Sequence, residues 1–110
     1  MAYIFYDFEF ANCFDGEKKI CSFGYVLTDE AFNILDKKDI LINPKSRFDY
    51  YALKKVMHKK ASDFLDKPDF PYYYLEITDL LIKNISFGFS VNDEVTALSD
   101  EMYRFKLSDS

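Results

Sequence analysis

The chain is poor in residues that break a backbone or cross-link it. Its 110 residues include three glycines, three prolines, two cysteines and one histidine. So little Gly and Pro excludes a linker-rich or disordered chain. Cys13 and Cys21 form no Cys-x-x-Cys pair and supply too few ligands for a structural zinc. Both read as free thiols packed on strands in a reducing compartment, which points to a cytoplasmic protein. No apolar run approaches the roughly 18 residues that cross a bilayer, so no membrane partner is expected. The N-terminus lacks a basic stretch with a small-residue cleavage site, and no signal peptide is expected.

Apolar and aromatic material is plentiful. Hydrophobic residues make up 49% of the chain, with twelve Phe and nine Tyr, enough for a packed core. At this length residues 1–110 read as a single domain. The net charge of −5 argues against nucleic acid only until its distribution is considered. Residues 45–67 hold seven basic and three acidic side chains, a local charge of +4, leaving −9 for the remainder. A basic patch beside an acidic remainder suits a protein that grips phosphates and holds metal ions, and equally suits a solvated helix face.

The richest segment is Tyr3-Ile4-Phe5-Tyr6-Asp7-Phe8-Glu9-Phe10. In a strand, residues two apart share a face about 6.5–7 Å apart. Ile4, Tyr6, Phe8 and Phe10 then face a core, while Tyr3, Phe5, Asp7 and Glu9 face outward. Two carboxylates on one face repel each other and resist desolvation. A hard divalent cation between them removes both costs. An outward face open to water is the plainer alternative.

Further along, Asp15-Gly16-Glu17 signals a turn, and Lys19–Leu27 reads as a second strand antiparallel to the first. Thr28-Asp29-Glu30 turns the chain again. Phe32–Asn43 reads as a third strand with a charged interruption at Asp36-Lys37-Lys38-Asp39, closed by Pro44. One or two short helices are expected over 45–67. A longer helix is expected with Pro71 in its first turn and Asn84 at its end. Ile85–Phe89 reads as a short buried strand. From Asn92 to Leu107, Val95, Leu98, Met102 and Phe105 form one apolar stripe of an amphipathic helix.

Asp7-Phe8-Glu9-Phe10 resembles the first motif of the DEDD 3′–5′ exonucleases, a branch of the RNase H-like fold that includes RNase T and the proofreading subunit of bacterial DNA polymerase III. Ile40-Leu41-Ile42-Asn43-Pro44 looks like the end of that family's third strand. Gly88-Phe89-Ser90-Val91-Asn92-Asp93-Glu94-Val95-Thr96-Ala97-Leu98 looks like its second motif, where a turn delivers an aspartate at a helix start. The resemblance implies an α/β, RNase H-like domain of order βββ-α-β-α with a mixed sheet. It implies two divalent ions, Mg²⁺ or Mn²⁺, held by Asp7 and Glu9 with Asp93 or Glu94. Register favours Glu94; residue type and helix-start chemistry favour Asp93. Asp7, Glu9 and Asp93 would be the catalytic acids.

The third motif, a His or Tyr followed by an Asp, has no counterpart before Ser110. The domain is therefore expected to be incomplete at its C-terminus, without the last strand and helix, and inactive as it stands. His58 precedes the second motif and reads as a surface or half-buried residue rather than the general base. Phe10 is a candidate base-stacking wedge, and Lys54, Lys55, Lys59 and Lys60 are candidate nucleic-acid contacts. The expected substrate is the 3′ end of single-stranded DNA or RNA. The alternative is a non-catalytic module of the same fold that binds nucleic acid or protein. The family's sheet order is 3-2-1-4-5, so an unpaired fourth-strand edge is expected to drive homodimerisation.

Overall fold

A computed structural model describes residues 1–12, 18–88 and 91–107. Cys13, the Asp15-Gly16-Glu17 turn and Phe89 lie outside those residues. Four strands form one mixed sheet in the order β3-β2-β1-β4. They are β1 (Tyr3–Phe10), β2 (Ile20–Thr28), β3 (Ile34–Leu41) and β4 (Ile85–Gly88). β2 runs antiparallel to β1 and β3, and β4 runs parallel to β1. A π-helical segment (Tyr51–Val56) and α1 (Ser62–Leu65) follow β3; α2 (Phe70–Lys83) precedes β4 and α3 (Val91–Arg104) follows it. Among the described residues, no helix is long and apolar enough to cross a membrane.

The alternation in β1 decides the layering. Ile4, Tyr6 and Phe8 are buried, whereas Phe5 and Asp7 are exposed. The even-numbered face forms the main core with Phe23 and Tyr25 of β2, Phe70 and Ile77 of α2 and Ala97 of α3. α2 starts where the sequence predicts, with Asp69 at the N-cap and Pro71 in the first turn, and it ends at Asn84. A smaller cluster of Cys21, Leu53 and Phe64 joins the π-helical segment and α1 to the sheet. Burial raises the Cys21 thiol pKa. The thiol lies 3.6 Å from Met57 Sδ, as expected of a packing cysteine.

Three expectations need correction. The charged run Asp36-Lys37-Lys38-Asp39 does not interrupt the third strand; it lies inside β3. β3 is an edge strand, where charge is compatible with pairing on one side only. β4 is not buried: Ile85 and Phe87 are 43% and 47% exposed. Among the described side chains of α3 the buried positions are Glu94, Ala97 and Glu101, while Val95 points outward. Leu98 and Phe105 still pack against the core.

Those two buried glutamates act as stitches between α3 and the sheet. β4 pairs β1 only as far as Gly88 opposite Tyr6. Beyond that pair, among the described residues, the N–H of the next inward residue, Phe8, is accepted by Glu94 Oε1 at 3.4 Å. One turn-pair further along α3, Glu101 Oε1 accepts the Ile20 N–H at 2.9 Å. Burial raises the Glu101 pKa, opposed by that N–H and by Arg104.

Candidate active site

The odd-numbered face of the sheet can be read row by row across the strands. Phe87, Phe5, Val26 and Lys37 are register partners in one row. Asp7, Gly24 and Asp39 form the next, and Glu9, Ser22 and Leu41 the third. One half of this face is thus aromatic and the other acidic. The smaller core closes the far end of the acidic half, bringing Val56, Met57 and Lys59 beside Asp7, Glu9, Ser22, Gly24 and Asp39. Together they line a cleft of about 290 Å³.

Asp7 and Glu9 share this cleft, as the spacing predicts. Burial raises the Glu9 pKa, and so do the charge of Asp7, a hydrogen bond between the two carboxyls and the charge of Asp39. Such a pair needs a proton or a cation between its members. Its donors are all oxygen, which suits Mg²⁺ or Mn²⁺. Mg²⁺ binds through as few as one or two carboxylates and keeps several waters, so the pair fits such an ion. Among the described residues, no group of three or more His, Cys, Asp or Glu side chains is arranged to hold a metal ion. Asp39 stands next to the pair but spends one oxygen on the Ser22 hydroxyl, which donates to it at 2.8 Å.

The second-motif acids part company. Asp93 is exposed in the first turn of α3, whereas Glu94 is turned in and only 1% exposed. Glu94 reaches the main-core side of β1, where the Tyr6 hydroxyl hydrogen-bonds to it. Burial and the Glu94 charge raise the Tyr6 pKa. Neither acid lines the cleft with Asp7 and Glu9. Of the four lysines proposed to contact nucleic acid, Lys59 lines the cleft, and Lys54, Lys55 and Lys60 are exposed. Phe10 packs against the main core with Lys18 Nζ 5.6 Å from its ring centroid, on the side away from the carboxylates. His58 is exposed, with a left-handed backbone at φ 56°.

Sequence reasoning missed Asp39. It lay in the stretch read as an interruption, and only the β2–β3 register sets it opposite Gly24 and hence beside Asp7. The aromatic row was missed for the same reason: Phe87 meets Phe5 only through parallel pairing of segments some 80 residues apart.

No protein-family model and no curated protein matches the chain. Among solved structures, it is similar to the nuclease domain of 3′hExo, a DEDDh family member, determined crystallographically bound to rAMP. The TM-score is 0.77 at 15% identity, covering 97% of this chain and 60% of that one. The chain thus spans less than two thirds of the nuclease-domain chain it matches. Its four-stranded mixed sheet and helices form an α/β, RNase H-like nuclease-domain fold.

Proposed function

We propose that this chain carries the metal- and end-binding part of a 3′–5′ exonuclease domain acting on single-stranded DNA or RNA. The observation that supports it most is the Asp7–Glu9 pair on the open face of β1, in the fold of a DEDDh nuclease domain. Asp7 and Glu9 hold the divalent ions, Mg²⁺ or Mn²⁺. Bound there, such ions activate water and stabilise the departing 3′ oxygen. Lys59, in the same cleft, meets a phosphate of the substrate strand. Glu94 holds α3 against β1, so its part is positional, and Asp93 remains a solvent-side acid. No histidine stands beside the carboxylates among the described residues. That observation favours the second reading, a module that binds nucleic-acid ends without cutting them.

Calorimetry with Mn²⁺ tests the site. The wild type is expected to bind weakly, with Asp7→Asn losing at least about tenfold in affinity, equivalent to about 1.4 kcal/mol. Equal heats from both proteins overturn the site. A 3′-labelled single-stranded oligonucleotide then separates the two readings. Stepwise shortening that disappears in Asp7→Asn marks an enzyme. Retained binding with an intact strand marks the binding module.

Self-association belongs to the same reading. β4 pairs with β1 alone among the described strands, which leaves its outer edge open beside exposed Ile85 and Phe87. An apolar open edge invites pairing with a second copy. Sedimentation equilibrium is expected to show a concentration-dependent rise above 13.0 kDa. A fit to the monomer mass at every concentration rules the dimer out.

A further inference from the structure

The aromatic half of the open face has no role in the site described above, yet it is elaborately built. Phe5 and Phe87 stand nearly parallel, with centroids 5.1 Å apart and an interplanar angle of 16°. Phe32 leans over Tyr3 and Phe5, at 5.5 and 6.4 Å. It does so from the β2–β3 turn with a left-handed backbone, φ 64°, which is unfavourable for a bulky residue. The turn is held by Asp29, whose carboxylate accepts the Ala31 and Asn33 N–H groups and the Asn33 side-chain amide. An aromatic cluster supported in this way on an exposed surface is a recognition feature more than leftover core.

The groove beside it has a volume of about 730 Å³. Its floor is Phe5, Phe87 and Val26, Lys37 stands at the β3 end of the row, and Asp7 and Asp39 close the other side. That volume lies within the range of small-ligand sites. Two features select the occupant. Asp7 lines both this groove and the carboxylate cleft, and Gly24 between Asp7 and Asp39 puts no side chain in the way. The two spaces are therefore adjacent, with Asp7, Gly24 and Asp39 as their common border. The groove also offers flat apolar faces with Lys37 and Lys38 at the β3 end, Lys37 in the same row as the rings, which matches a planar apolar ring joined to an anion.

We propose that the Phe5–Phe87 row is a stacking subsite for a nucleobase of single-stranded nucleic acid, with Lys37 receiving a neighbouring phosphate. The inference rests on the nucleic-acid reading of the Asp7–Glu9 cleft and names a second contact of the same strand. A base laid on the row extends the existing ring stack, and the strand passes over Gly24 to the carboxylates. Stacking of this kind is tolerant of sequence, because every base has a π-face.

The test is fluorescence anisotropy in EDTA with two 5′-labelled twelve-residue strands, oligo-dT and an abasic strand of equal charge. The wild type is expected to bind oligo-dT about tenfold more tightly. Phe87→Leu keeps apolar bulk but removes the π-face, and at an exposed position it leaves the thermal midpoint unchanged. It is expected to erase the difference between strands. Lys37→Glu is expected to weaken both strands alike and to flatten the salt dependence. Equal wild-type affinity for the two strands overturns the subsite, as does a difference that survives Phe87→Leu. A dimer that Phe87→Leu dissolves, with no strand bound, assigns the row to a second copy and also overturns it. The two readings fail separately. A base preference that persists in Asp7→Asn keeps the subsite without the metal site. Asp7-dependent Mn²⁺ binding without base preference keeps the metal site alone.

Discussion

Gly88→Ala is expected to destabilise the chain by about 3 kcal/mol in urea unfolding, combining overpacking with displacement of a buried charge. An added Cβ would overlap Glu94 Oε2 and lie 2.9 Å from the Tyr6 hydroxyl and 3.0 Å from its Cζ. Both neighbours are side chains held in the core, Glu94 1% and Tyr6 8% exposed, so the added Cβ must displace buried groups. Glu94 is nearly inaccessible, and its carboxylate accepts the Phe8 N–H. Pushing it aside costs that bond as well as the contact. The requirement at Gly88 is space, since the backbone there is not left-handed. Gly24 supplies the control. A Cβ at Gly24 meets Asp39 Oδ1 at 3.8 Å and the Lys38 carbonyl at 4.0 Å, both ordinary contacts. Gly24→Ala is expected to stay within about 1 kcal/mol of the wild type. If Glu94 is the obstacle, Gly88→Ala costs less in a Glu94→Ala background, with a coupling of about 1 kcal/mol or more. Additive losses would remove Glu94 from the explanation.

Phe23→Ala is expected to cost about 3–5 kcal/mol, while Phe87→Ala on the other face costs about 1 kcal/mol or less. Phe23 is fully buried in the main core. Its ring centroid lies 5.0 Å from Phe8, 5.5 Å from Tyr25 and 6.2 Å from Tyr6. Removing it opens a cavity bounded by rings that cannot collapse into the space, so lost transfer energy and cavity cost add. A domain of this size has about 5–15 kcal/mol of stability, so the variant sits near the edge of folding. Phe87 is half exposed and has water to replace its neighbours. Denaturant midpoints for the two variants check the contrast. Similar losses would mean that the aromatic row is part of the core, and the stacking subsite would lose its basis.

Much of the layering is legible in Tyr3–Phe10. Alternation commits Ile4, Tyr6 and Phe8 to one face and Asp7 and Glu9 to the other, because strand geometry leaves no third choice. Pro71 and Asn84 similarly mark both ends of α2, through a fixed φ at one and an extended cap at the other. These are local properties, carried by a few neighbouring residues.

Other features depended on pairing between distant segments. The apolar stripe of α3 suggests that Val95 faces inward. The helix instead buries Glu94 and Glu101, because Phe8 and Ile20 carry strand N–H groups whose partners must come from α3. That Glu94 is buried while Asp93 is exposed goes with a long-range bond, the Phe8 N–H donated to Glu94 Oε1, which the helix sequence alone does not reveal. Asp39 joins the carboxylate cleft only through the β2–β3 register, and Phe5 meets Phe87 only through the parallel β1–β4 pairing. Periodicity tells a side chain which face of its own element it occupies; which distant side chain shares that place is set by strand register and by the hydrogen bonds left to be filled.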